Sequence, residues 1–151
     1  MKSIDTIIKE SINSILNWIY LGIFIDEKSK QDILNLLKEN DVNIPQDWKI
    51  VNHHMTIAFN NKSDEAIQLF NLYADKFNST KSLTIDAIGI SDDAIAVRVQ
   101  YDEPIANKIP HITVAIPQNG KPVNSNYIQN WFPIKNNITI NGILKPFVKS
   151  K

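Results

Sequence analysis

The chain contains no cysteine. Disulfides, thiolate nucleophiles and cysteine-ligated zinc are therefore excluded. It also lacks an excess of either charge, because 16 Lys and Arg residues balance 16 Asp and Glu residues. Proteins that coat duplex nucleic acid carry a basic surplus, so that class is disfavoured, while a small nucleotide or a nucleic-acid end stays open. Arginine is almost missing, with Arg98 the single instance. The most apolar run, residues 18–25, is far shorter than the roughly 20 residues a membrane helix needs. The N-terminus shows no basic segment followed by an apolar one of the secretory kind. A cytoplasmic protein (host cytoplasm if the source is viral) is expected, with no membrane contact and no obligate protein partner.

What is present is enough for one domain, residues 1–151, with 43% hydrophobic residues to build a core. Within it one pattern occurs twice. Residues 54–59 read His, apolar, Thr, apolar, Ala, apolar, and residues 111–116 read the same. Side chains alternate across a strand, so His54 and Thr56 share one face while Met55, Ile57 and Phe59 share the other. His111 and Thr113 divide from Ile112 and Val114 in the same way. A strand built only for a core has no need of His and Thr at that spacing, and still less of two copies.

The rest of the chain reads as an alternation of helices and strands. Helical spacing covers 4–17, and a buried strand follows over 19–25. Asp26 is placed to cap a helix carrying Ile33, Leu34, Leu36 and Leu37. The first motif strand is expected over 49–59 and a further helix over 64–77. A hairpin over 83–90 and 94–99 turns at Ser91, Asp92 and Asp93. The second motif strand leaves a loop at Pro110. A helical turn or two is expected over 127–131, and terminal strands over 138–140 and 143–148 with a turn at Asn141 and Gly142. Each motif strand is preceded by an apolar strand and followed by a turn and a helix. The expected architecture is α+β, with two pseudo-symmetric lobes whose motif strands face each other across a central cleft.

Two imidazoles flanking a phosphodiester suffice for general acid–base catalysis. With ordinary pKa values near 6.5, one is neutral and accepts a proton while the other is protonated and supplies one. The two Thr hydroxyls donate hydrogen bonds to the phosphoryl oxygens, where charge grows in the transition state. This chemistry requires no metal or other cofactor, and no carboxylate stands at a ligand-like offset from the pair. His54 and His111 are thus the candidate catalytic residues, and Thr56 and Thr113 the candidate phosphate-binding residues. His53 points away from His54 and reads as structural or as a cleft-edge residue. Four further positions are candidate substrate contacts. Tyr20 is placed to stack a base or orient the phosphate, with a core-edge role as the alternative. Arg98 offers a guanidinium suited to phosphate, or a surface charge. Ser125, with Asn126, lies in a polar loop as a contact or a helix cap. Lys145 faces either the cleft or solvent. Trp18, Trp48 and Trp131 read as core and rim.

The paired motifs His54-Met55-Thr56 and His111-Ile112-Thr113 resemble the signature of the two-histidine (2H) phosphoesterases. The resemblance runs from the strand near Tyr20 to about Val148. Around residues 53–56 and 120–126 it is similar to the RNA-repair-like branch related to the cyclic phosphodiesterase domain of fungal tRNA ligase. It implies a two-lobed fold around a cleft and a metal-independent phosphodiesterase. The implied substrates are 2′,3′-cyclic phosphates, 2′-5′ linkages, cyclic nucleotides or RNA ends. Phage nucleases that destroy cyclic oligonucleotide immune signals belong to the same family and are an alternative. A nucleotide-binding module without turnover is another.

Overall fold

In the computed structural model, residues 17–148 are described. The helix expected over 4–17 lies, apart from Asn17, outside them. Strand β1 spans Trp18–Ile25 and helix α1 Glu27–Glu39. Strands β2 (Trp48–Ile50) and β3 (His54–Phe59) precede helix α2 (Asp64–Tyr73). Strands β4 (Thr80–Ser91), β5 (Ala94–Gln100), β6 (His111–Pro117) and β7 (Asn130–Val148) follow. Short 3₁₀ turns cover Ala74–Lys76 and Pro122–Tyr127. Among the described residues no helix is long and apolar enough to cross a membrane.

The helices begin where their caps predict. Asp26 accepts from the Ser29 amide at 2.7 Å, and Ser63 Oγ accepts from the Ala66 amide at 3.1 Å. Apolar side chains on one side of α1 (Ile33, Leu36, Leu37) and of α2 (Leu69, Phe70) enter the same core as Leu21, Ile57, Ile85, Val97, Val114 and Leu144 from the strands. Both helices therefore bury one stripe against the sheet.

The sheet corrects the expected architecture. Its strand order is β2-β6-β3-β1-β7-β4-β5, and β5 also pairs with β6. Six antiparallel strands, β1, β3, β4, β5, β6 and β7, thus close into one barrel, with β2 alongside β6. There are not two lobes around a cleft. The physical reason lies in β6. Its Ile112 pairs with Met55 of β3 on one side and with Val97 of β5 on the other. The two motif strands are therefore hydrogen-bonded neighbours. They do not face each other from separate sheets, and closing the barrel removes the free edges that two open sheets would expose.

Three local expectations also change. The strand expected over 49–59 is broken, because Asn52 adopts a left-handed conformation (φ 52°). Its side chain donates to the Lys30 carbonyl of α1 at 3.0 Å, which supports that conformation. The terminal hairpin is absent, since β7 runs unbroken through Asn141 and Gly142. A Cβ at Gly142 would sit 2.7 Å from Ile23 Cγ2 and 2.8 Å from the Phe24 carbonyl oxygen. That glycine serves the close approach of β7 to β1 and not a turn. Residues 130–131, assigned to a helical turn, open β7, and the helical turns fall earlier, over Pro122–Tyr127.

Candidate active site

The Met55–Ile112 pairing decides the geometry. Both side chains are fully buried in the core. Their neighbours point to the other face, so Thr56 lies beside His111 and His54 beside Thr113. The two imidazoles sit on a diagonal, for which ladder spacing gives roughly 7–8 Å between Cα atoms. The arrangement is a near-twofold diamond of two His and two Thr side chains. All four line one cavity of about 560 Å³, together with Tyr20, His53, Phe59, Asn107, Lys121 and Asn126 among others. The size is that of a small-molecule site.

The two halves of the diamond are held differently. His111 is 9% exposed, and its Nδ1 lies 2.7 Å from the Ile109 carbonyl oxygen. A carbonyl only accepts, so Nδ1 carries a proton and Nε2 is the free nitrogen. Thr113 Oγ1 donates to the Pro122 carbonyl at 3.3 Å and lies 2.8 Å from Ser125 Oγ. With its own proton directed at Pro122, Thr113 accepts the Ser125 hydrogen. Ser125 is 1% exposed and acts through Thr113. His54 has no such anchor. Its Nδ1 is buried without a hydrogen-bond partner. Aromatic rings position it instead: Tyr20 stacks on it at 4.7 Å and 19°, and Phe24 lies at 5.3 Å. Thr56 makes no side-chain hydrogen bond among the described residues, so its hydroxyl is available in the cavity.

Both imidazoles are held below their ordinary pKa. Burial, then the charges of His53 and His111, push His54 down to about 4. Burial also lowers His111, and the Ile109 carbonyl opposes that by stabilising the imidazolium. Both His54 and His111 are therefore neutral at neutral pH.

The further candidates divide. Tyr20 lines the cavity and stacks on His54. Ser125 is buried behind Thr113. Arg98 pairs in register with His111, but its Nε donates to Asp86 Oδ1 at 2.8 Å and it does not line the cavity. Lys145 does not reach the cavity either; its ammonium stands 5.0 Å above the Phe24 ring. His53 is brought to the same cavity as His54, against simple alternation. The break at Asn52 is the cause, and the His53 carbonyl is turned to accept from the Ile25 amide at 3.0 Å.

Sequence reasoning missed Asn107, Phe24 and Phe59, and gave Trp131 no part in the site. Asn107 arrives on the irregular 102–110 segment. That segment is pinned by the Ala106 amide on the Ile57 carbonyl at 2.9 Å and by Tyr73, whose hydroxyl lies 2.7 Å from that of Tyr101 and donates to the Pro104 carbonyl at 2.5 Å. Nothing in its composition announces this. Among the described residues no group of three His, Asp or Glu side chains forms a metal site. No protein-family model matches the chain, and no curated protein matches it.

Proposed function

We propose that the protein is a phosphodiesterase of the two-histidine type, acting on a nucleotide or RNA phosphodiester without a metal. One observation carries the reading: both His-x-Thr pairs, remote in sequence, line one cavity from adjacent strands. The reading rests on this cavity and not on the two-lobed architecture, which the closed barrel replaces.

The asymmetry of the site supports one division of roles. Catalysis needs one neutral imidazole and one imidazolium. The proton goes where it costs less. His54 resists it most, at about 4 with no partner for Nδ1, whereas the Ile109 carbonyl supports a charged His111. His54 is therefore the base, taking the proton of a water or ribose hydroxyl as that oxygen attacks phosphorus. His111 is the acid, giving its Nε2 proton to the leaving oxygen as the P–O bond breaks. A bound phosphodiester anion draws a proton onto His111 by raising its pKa. The Thr56 hydroxyl and the Lys121 ammonium meet the phosphoryl oxygens, and Thr113 joins them by turning its proton from Pro122 while Ser125 donates to it.

The test is turnover in EDTA on a 2′,3′-cyclic nucleotide, a 2′-5′ dinucleotide, RNA and cyclic di- and trinucleotides, with His54→Ala and His111→Ala in parallel. Each variant is expected to lose at least about a hundredfold in kcat. Full activity in either variant overturns the mechanism. Binding without cleavage by the wild type identifies a binding module instead.

A further inference from the structure

A second recess adjoins the catalytic cavity. It has a volume of about 330 Å³ and shares His111, Asn107 and Asn126 with the larger one. Its own wall is formed by Trp131, Ile128 and Lys108. The Trp131 ring centroid lies 6.3 Å from that of His111. The indole is fixed in two ways. Its Nε1 donates to the Ile128 carbonyl at 3.2 Å, and its six-membered ring rests on Gly89, where a Cβ would come within 2.6 Å of the ring atoms. Gly89 thus allows a flat aromatic ring to lie against β4 and face the recess.

We infer that this recess receives the leaving nucleoside, so that the substrate is a phosphodiester with a nucleoside on each side. The inference rests on the two-histidine reading and extends it to the substrate class. His111 is the one catalytic imidazole bordering both spaces. As the acid it must touch the leaving oxygen, and whatever that oxygen carries departs on the His111 side. A 2′,3′-cyclic mononucleotide has its leaving oxygen on the same ribose as the rest of the nucleotide. It fills the Tyr20 and Phe59 side and leaves the Trp131 recess empty. An internal linkage of a linear or cyclic oligonucleotide fills both, with one base beside Tyr20 and the other on Trp131. Aromatic stacking accepts any base, since every base has a π-face. The attacking oxygen bonds to phosphorus as its proton passes to His54, the P–O bond to the leaving nucleoside breaks, and the leaving oxygen takes the proton of His111.

The experiment compares kcat/KM for dinucleoside monophosphates with kcat/KM for 2′,3′-cyclic mononucleotides, in the wild type and in Trp131→Ala and Lys108→Glu. Lys108 is exposed, so its variant tests the recess without disturbing the core. The wild type is expected to favour the dinucleotide at least tenfold, and Trp131→Ala to reduce that ratio at least fivefold, with Lys108→Glu reducing it in the same direction. A wild type that prefers the cyclic mononucleotide overturns the inference and leaves the two-histidine reading standing. Equal losses on both substrates, with the ratio unmoved, also overturn it. Absence of turnover on both classes removes the reading and the inference together.

Discussion

Folding stability should depend on pH through His54 in a way that can be isolated. In the folded chain this imidazole is held at about 4, while in the unfolded chain it titrates near its ordinary 6.5. Between these values the unfolded state binds a proton that the folded state refuses, so stability falls as pH falls. Above about pH 7.5 both states are neutral and His54 contributes no pH dependence. Integration of the difference gives a loss of about 2 kcal/mol by pH 5 and about 3 kcal/mol by pH 4. His111 is also lowered and adds a loss of the same sign. Urea unfolding followed by tryptophan fluorescence at pH 8, 6 and 5, for the wild type and His54→Gln, separates the two. Carboxylates titrate in both proteins and cancel in the difference. The gap between the two stabilities should shift by about 2 kcal/mol from pH 8 to pH 5, against the wild type. Parallel curves would refute the burial argument and, with it, the assignment of His54 as base.

Three other outcomes follow from the same geometry. Because kcat/KM reports the free enzyme's groups and both imidazoles are lowered, its pH optimum should lie between about 4 and 6.5 and fall about tenfold per unit above it; an optimum above pH 7.5 contradicts this. Ser125→Ala should remove the hydrogen that Thr113 accepts, costing about 1 kcal/mol in stability and about tenfold in kcat with little change in KM, so that a KM effect alone would argue for a role in binding. Gly22→Ala places a Cβ 2.9 Å from the Met55 carbonyl oxygen and 3.5 Å from His54 Cδ2, and the fixed backbone there should cost about 1–3 kcal/mol, read from denaturant midpoints, with turnover reduced as β1 and β3 part.

Much of this was legible in the chain because it is local. The Asp26 cap, the apolar stripes of α1 and α2, the hairpin turning at Asp92 and Asp93, and the His/Thr faces of both motif strands depend on neighbours a few residues away. Alternation alone put Met55 and Ile112 in the core and His54, Thr56, His111 and Thr113 on the opposite face. Alternation failed where the backbone left the regular strand: at Asn52, so that His53 reaches the cavity, and at the register shift between β1 and β3 beside Ile57, so that Phe59, expected on the core face, is exposed and lines the cavity. The Asn141-Gly142 pair misled for a related reason. It has the composition of a turn, yet its glycine answers to Ile23 and Phe24, residues over a hundred positions away.

The sequence by itself determined which groups were available for chemistry: three imidazoles, two of them in His-x-Thr pairs, no thiol and one arginine. Periodicity determined which of them shared a face. Only the tertiary structure decided that β3 and β6 are neighbours in a closed barrel, because strand pairing is a contest among all edges and no short pattern records its winner. Other parts of the fold gave Arg98 to Asp86 across β4 and β5, set Trp131 on Gly89 across β4 and β7, and buried Ser125 behind Thr113 from the turn over 122–127. The unequal support of the two histidines also arose there, since the Ile109 carbonyl and the Tyr20 ring reach them through the fold.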